Sequence, residues 1–357
     1  MKKNLHKVER VLDTKMKNHQ QADLRHLFLG FTMQTFVEMG VGTELDWIGR
    51  DKPHPFEEAF DLGSLLSLRR IRVPEFVWKL ERWLDVGQER ALAKYCSTMR
   101  TWMNEVVQEG LKQATFKQKL TSSDTSDDVK SVVELFVEQS GEIDGLRPED
   151  LVDFIMAFVV AARDTTALTL TWLFYELGRN PDIEQAIRKE MAGKLDVDKD
   201  TYLTPDHIRS LTMLEATIKE TLRFHPVAPF FMREASEDTF FCGDILVKKG
   251  QTVGLSMYSI NRNSKTWGPD AGEFKPQRWV DETTGSIRNI PPTQFFSFGA
   301  GPRMCVGMNL AMQQLRVVTA NLLHKYRFDI DPSNDGTYVA GLTLNMKFPL
   351  LATVGRV

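Results

Sequence analysis

Cysteine is scarce in this sequence. Only Cys96, Cys242 and Cys305 occur in 357 residues, odd in number, far apart and without a Cys-x-x-Cys pair. That scarcity excludes a disulfide framework and a cysteine-based zinc site, and it points to a reducing compartment. A marked excess of charge of one sign is missing as well. The 45 basic and 48 acidic residues leave a net charge of −3, which gives no electrostatic footprint for nucleic acid. Long hydrophobic runs are absent. The most apolar stretch, Phe154 to Ala162, is bounded by Asp153 and by Arg163-Asp164 and falls well short of the roughly 20 residues that cross a bilayer. The segment from Met1 to Arg10 is charged and has no apolar core, so no targeting signal or membrane anchor is read in it. Phosphate loops and Gly-x-Ser-x-Gly elbows are lacking, and Gly40-Val41-Gly42 lacks the third glycine of a dinucleotide fingerprint. Asp196-x-Asp198-x-Asp200 begins like a calcium loop, but Thr201 stands where Gly is needed and His207 where Glu is needed.

What remains is an ordinary globular composition, 42% hydrophobic and 26% charged, in a chain long enough for a large core. A single domain over residues 1–357 is expected. Residues 1 to about 118 read as helical, with apolar spacing at Leu24, Leu27, Phe31, Phe36 and Val37 and further helices over Phe76 to Leu84 and Ala91 to Leu111. Thr121 to Asp128 reads as a polar, flexible loop, followed by a helix from Val129 to Gln139 and a turn over Gly141 to Gly145. Arg147-Pro148-Glu149-Asp150 starts a long helix that Asn180-Pro181 stops. At about 1.5 Å per residue it spans a whole domain and is expected to be buried in its middle. Helices follow over Ile183 to Gly193, Pro205 to Ser210 and Leu211 to Phe224. Strand signals come late and short: Thr239 to Cys242, Ile245 to Val247, Thr252 to Ser256, Leu342 to Leu344 and Phe348 to Val354. The expected class is mainly α with a minor β portion.

Cys305 stands out. It lies in Phe296-Ser-Phe-Gly-Ala-Gly-Pro-Arg-Met-Cys305-Val-Gly307, a glycine-rich turn before a helical stripe of Val306, Leu310, Ala311, Leu315, Val318 and Leu322. The positive end of a helix and the cation of Arg303 both favour thiolate over thiol. A thiolate in a glycine-framed turn can meet a flat ligand face to face. Haem is such a ligand, and an axial thiolate pushes electron density onto its iron. An isolated cysteine is more often a small buried hydrophobe. Here Phe298, Gly301, Arg303, Cys305 and Gly307 together match Phe-x-x-Gly-x-Arg-x-Cys-x-Gly, and the chain resembles the cytochrome P450 superfamily on these residues. The resemblance implies haem b with Cys305 as iron ligand, Arg303 on a propionate and Phe298 near the sulfur.

Three further segments stand in the order that this family shows. Glu220-x-x-Arg223 places two charges on one helix face, by itself no more than a surface ion pair. The family pairs such a Glu and Arg with an arginine of a downstream segment, here Phe274-Lys-Pro-Gln-Arg278-Trp279, so the resemblance implies a structural lock of Glu220, Arg223 and Arg278. Arg233 would be a second propionate ligand. Ala161-Ala162-Arg163-Asp164-Thr165-Thr166 aligns with the oxygen-activation stretch. Read alone, Thr165 would bond the carbonyl four residues back and Asp164 would pair with Arg163. The resemblance makes Thr165 and Asp164 the catalytic proton donors. Ala162 replaces the usual glycine, which narrows that groove. The same alignment assigns Phe158, Ala161, Ala162, Val227, Ala228, Phe230 and Leu342 to an apolar substrate pocket.

Ala162-Arg-Asp-Thr-Thr-Ala167 and Trp78-Lys79-Leu80 resemble fatty-acid ω-hydroxylase members. Trp78-x-x-x-Arg82 also matches the family's Trp-x-x-x-Arg string over the propionates, but it lies too close to Cys305 and is read as coincidence. The implied activity is a monooxygenase that puts one atom of O2 into a C–H bond of an apolar substrate, a fatty acid or alkane, with electrons from an NADPH-dependent reductase. The family carries further chain before the point matched here, so we expect an N-terminally truncated P450 fold lacking the anchor, the early helices and part of the sheet. A full-length relative of this kind sits on the cytosolic face of the endoplasmic reticulum membrane through that anchor. A non-catalytic fragment with weak or no haem binding is the alternative. A peroxide-rearranging member is a third reading, against which the retained Thr165 argues.

Overall fold

The computed structural model describes residues 1–50, 52–120, 130–139 and 147–357. The loop expected over Thr121 to Asp128, the turn over Gly141 to Gly145 and Val129 lie outside the described residues. Two compact units emerge, one of Met1–Ala167 with Leu351–Val354, the other of Leu168–Leu350 with Gly355–Val357.

The first unit is helical: α1 (Lys2–Lys17), α2 (Leu24–Val41), α3 (Pro55–Ser67), α4 (Arg69–Arg72), α5 (Glu75–Leu84), α6 (Gly87–Leu120), α7 (Val132–Gln139) and the start of α8 (Pro148–Arg179). α2 is apolar around most of its circumference. It buries Leu24, Leu27, Phe28, Phe31, Met33, Phe36 and Val37, so it is the unit's central helix. Asp23 caps it, accepting the His26 N–H at 3.2 Å. A two-residue strand, β1 (Ala22–Asp23), precedes it and pairs antiparallel with Leu351 and Ala352, a strand in a region expected to be wholly helical. α3 opens on a capping box: the His54 Nδ1 accepts the Phe56 N–H, and the Glu57 carboxylate accepts the His54 N–H at 2.9 Å. Arg69–Glu81 and Arg70–Glu89 pairs tie α4 to α5 and α6.

The expected helix over Ala91 to Leu111 is longer at both ends, and the one expected from Val129 is described from Val132. The long helix is buried less evenly than its composition suggested. Leu168, Leu170, Trp172, Leu173 and Leu177 are buried, but Phe154, Val160 and Ala161 in its first half are exposed. Among the described residues no helix is long and apolar enough to cross a membrane.

The second unit packs the rest of α8 with α9 (Pro181–Lys194), α10 (Pro205–Ile208), α11 (Thr212–Phe224), α12 (Met257–Ile260), α13 (Ser264–Trp267) and α14 (Met308–Lys325). Buried Leu315, Val318 and Leu322 line the inner face of α14. Val306, assigned to this stripe from sequence, is instead fully exposed, because the helix starts only after Gly307. β2 (Phe230–Glu234) pairs antiparallel with β5 (Thr252–Ser256), and β3 (Thr239–Phe241) with β4 (Ile245–Val247). After β6 (Tyr326–Ile330) the strands differ from expectation. Leu342 is not in a strand but in the bend of a hairpin between β7 (Tyr338–Ala340) and β8 (Leu344–Met346). β9 (Leu351–Arg356) begins three residues later than expected, since Pro349 has no N–H to give a ladder.

Candidate functional site

In the second unit the Cys305 loop is a string of tight turns. Gly299 donates to the Phe296 carbonyl at 2.8 Å, Met304 to Gly301 at 3.1 Å and Cys305 to Phe298 at 2.8 Å. Gly299 (φ 74°) and Gly301 (φ 71°) take left-handed backbone, which favours glycine. Cys305 precedes Gly307, the N-cap of α14, by two residues, so the thiol stands just ahead of the helix end rather than on it. Both Cys305 and Arg303 are exposed. Phe298 is half-buried, its ring 6.4 Å from that of Phe295. A Cβ at Gly307 would come within 3.9 Å of the Cys305 sulfur, whereas one at Gly301 would meet nothing within 4 Å. The sulfur is thus at ordinary contact distance from Gly307 and itself exposed. One exposed, soft sulfur donor and exposed guanidinium groups suit a flat, anionic, iron-bearing macrocycle.

Arg233 on β2 is exposed and donates to the Met232 carbonyl at 2.7 Å. A cavity of about 680 Å³, unforeseen from sequence, adjoins the loop at Phe298, Gly299 and Met304 and carries Lys219 and Arg316 in its wall.

Below the loop in sequence, Glu220, Arg223 and Arg278 meet. Arg223 donates through Nε and Nη2 to the two oxygens of Glu220 at 2.7 and 2.8 Å, and its other hydrogens reach the carbonyls of Asn261, Ala271 and Glu273. Arg278 Nε donates to Glu220 Oε1 at 2.9 Å. Arg278 also holds Asp270, whose carboxyl is pushed down to about 2 by bonds from Lys275 and Arg278. Arg223 is therefore much more than a surface pair: it is wholly buried and saturated.

Of the pocket candidates in this unit, Val227 is buried and its carbonyl accepts the Leu344 N–H at 2.9 Å, which brings the segment after α11 beside the C-terminal hairpin. Ala228 is half-buried, and Phe230 and Leu342 are exposed. The same unit holds a stack that the sequence did not reveal. His225 lies parallel to Trp172 at 4.2 Å and its Nε2 bonds Glu176 at 2.7 Å.

In the first unit, α8 carries Phe158, which packs edge-on against Phe36 at 5.5 Å. Ala161 is exposed, and Ala162 is half-buried. Thr165 donates its hydroxyl to the Ala161 carbonyl at 2.8 Å. Arg163 and Asp164 are buried together. Arg163 Nη1 donates to Asp164 at 2.9 Å and to Asp61 of α3 at 2.8 Å, with Glu57 3.9 Å from Nη2. Burial disfavours the Arg163 charge, but three carboxylates outweigh it and hold the guanidinium protonated. Burial pushes the Asp164 carboxyl up, more than its share of Arg163 pulls it down. Neither Asp61 nor Glu57 was foreseen. Their i, i+4 spacing on an otherwise apolar helix was the one available signal.

A family model described as "Cytochrome P450" matches residues 1–342. The chain belongs to the cytochrome P450 family. Curated relatives agree. Cytochrome P450 86B1 of Arabidopsis thaliana is 28% identical over 96% of this chain and 62% of its own length. Noroxomaritidine synthase of Narcissus aff. pseudonarcissus MK-2014 is 28% identical over 97% and 67%, and cytochrome P450 704B1 of Arabidopsis thaliana 29% over 94% and 70%. This P450 chain therefore spans less than two thirds of the first of these relatives. Members of the family bind haem b through a cysteine thiolate, and the mainly helical architecture with a small strand share agrees with the P450 fold.

Proposed function

We propose that this P450 is a haem–thiolate monooxygenase acting on an apolar substrate. The observation that carries the reading is Cys305: an exposed thiol on a tight glycine loop just ahead of α14. In this reading Cys305 is the iron ligand, and Arg303 and Arg233 hold the propionates as exposed guanidinium donors. Phe298 packs near the sulfur, with Gly301 and Gly307 keeping the loop tight. The lock of Glu220, Arg223 and Arg278 fixes the fold around that loop. When bound, haem supplies the activation of dioxygen, so that one oxygen atom enters a C–H bond and the other leaves as water, with two electrons and two protons consumed. Protons are managed by α8. The Thr165 hydroxyl, parked on the Ala161 carbonyl, is one rotation from donating elsewhere, and Asp164 is a buried carboxyl inclined to keep its proton.

Phe158, Ala161, Ala162, Val227, Ala228, Phe230 and Leu342 would line an apolar pocket. A fatty acid or alkane is the proposed substrate, on the resemblance of Ala162 to Ala167 and of Trp78-Lys79-Leu80. The relatives' names do not converge on one chemistry, since one is named for noroxomaritidine and two bear family numbers alone. Electrons would come from an NADPH-dependent reductase, with the whole protein at the cytosolic face of the endoplasmic reticulum membrane.

The deciding measurement is the carbon monoxide difference spectrum of the reduced, purified chain. A thiolate-type Soret band in the wild type that disappears in Cys305→Ser supports the reading. A chain that takes up no haem, or shows a band of neutral ligation, overturns it. Product analysis with fatty acids and alkanes, driven by a reductase, then tests the substrate class.

A further inference from the structure

In the first unit three carboxylates stand around one buried guanidinium. Arg163 is one cation, and Asp164, Asp61 and Glu57 all face it. The spacing of Glu57, Phe60 and Asp61, i, i+3 and i+4, puts a carboxylate, a ring and a second carboxylate on one face of α3. Phe60 covers the guanidinium at 4.9 Å, and the two acids bracket it. The two acids bonded to Arg163 Nη1 differ in solvation. The Asp164 side chain is only 10% exposed and that of Asp61 is 53% exposed. Both hydrogen bonds from Arg163 to these acids leave from Nη1, while its buried Nε has no hydrogen-bond partner.

We propose that Asp61 is a positioning residue that, through Arg163, sets the protonation of Asp164. Asp61 takes one of the two hydrogen bonds that Arg163 Nη1 gives, and so shares the cation with Asp164. The buried one is then left undercompensated and retains a proton. Burial, opposed by Arg163 and reinforced by Asp61, raises the Asp164 carboxyl. Arg25 of α2 also pulls it down, and Glu57, though committed to the His54 cap, adds to the negative field on Arg163. Asp61 is the surface member of the set and the one through which solvent conditions reach Asp164. The consequence for turnover rests on the monooxygenase reading above; the charge relation does not.

The test is a pH titration of the purified full chain by infrared spectroscopy. The protonated-carboxyl C=O band of Asp164 is assigned by its loss in Asp164→Asn. In Asp61→Asn one negative charge goes, Arg163 serves Asp164 more fully, and the midpoint of that band moves to lower pH. Asp61→Glu restores the charge and returns the midpoint toward wild type, which a merely structural role for Asp61 would not produce. An unmoved midpoint in Asp61→Asn overturns the proposal, as does a shift that Asp61→Glu fails to reverse. With haem bound and reductase present, the alkaline limb of coupling (product formed per electron consumed) should move to lower pH along with the band. A moved band with an unmoved limb removes Asp61 from proton supply. Failure of the carbon monoxide spectrum would sink the monooxygenase reading while leaving the infrared result to judge Asp61 on its own.

Discussion

Glu220 and Arg278 lie 58 residues apart in sequence and meet at 2.9 Å, in a site where one carboxylate receives five donors. Arg223 supplies two, and Arg278 Nε, the Lys275 N–H and the Trp279 indole N–H supply the rest. Glu220 is fully buried. Replacing the carboxylate with an amide removes the charge that compensates two arginines and turns an N–H2 toward donors. Breaking a buried pair from one side costs about 3–5 kcal/mol, a large share of the roughly 5–15 kcal/mol that holds a domain together. Glu220→Gln should therefore lower the urea midpoint sharply and cut the soluble yield. A midpoint within error of wild type would show that the lock is not a stability element.

Arg233 is the opposite case, an exposed arginine whose recorded contact is a neighbouring carbonyl. Its loss should leave the apoprotein's urea midpoint within about 0.5 kcal/mol of wild type, as for surface positions generally. If it holds a propionate, Arg233→Ala should release haem faster to an acceptor protein, and Arg233→Lys should recover part of the retention. Equal haem-loss rates in all three proteins would remove Arg233 from the cofactor site.

The Cys305 loop and the Glu220–Arg223 turn could be read in advance because their chemistry is local. Glycines beside a thiol, or charges at i and i+3, announce themselves within ten residues. Arg278 was reachable only through the family resemblance. Asp61 was harder to reach, because its partner Arg163 is 102 residues away and only the i, i+4 spacing of Glu57 and Asp61 hints at it. The helix pattern was legible from apolar periodicity, and the weak points were ends. β9 slipped because Pro349 moves the ladder downstream, and the hairpin bend displaced Leu342 from the strand where its neighbours suggested it. Burial along α8 was misread for a related reason. Apolar composition alone cannot tell a helix that is covered all round from one that leaves Phe154 and Val160 exposed.

Thr165 and Ala162 separate two roles on one helix. Thr165→Ala removes the hydroxyl without touching a charge, so reductase-driven product formation should fall by about 10²-fold while peroxide-driven turnover persists. Retention of both activities would deny Thr165 a proton-handling role. Ala162→Gly removes a methyl group at a half-buried position. It should cost about 0.5–1 kcal/mol of stability, the ordinary penalty of glycine within a helix, and shift preference toward bulkier substrates. An unchanged product profile across a graded substrate series would place Ala162 outside the pocket.

His225 gives the protein a pH-sensitive element. The 2.7 Å contact with Glu176 has the length of an ion pair, but its surroundings argue for a neutral ring. His225 is buried against Trp172, and its Nδ1 has no hydrogen-bond partner, so a protonated ring would leave a buried N–H unsatisfied. Burial holds the imidazole below its usual 6.5, outweighing Glu176. The neutral ring then donates from Nε2 to the carboxylate and leaves Nδ1 bare. Because the folded-state value is lowered, the unfolded chain binds the proton first as pH falls. This contribution to stability is full above about pH 6.5 and declines below it. The urea midpoint of the wild type should therefore drop between about pH 6.5 and 5. His225→Gln preserves a donor to Glu176 and cannot titrate. It should start from a lower midpoint, through loss of the Trp172 stack, but show a shallower decline over the same interval. Parallel curves for the two proteins would mean that folding does not shift the His225 titration, and a wild-type midpoint that gained on the variant as pH fell would mean that Glu176 rather than burial governs it.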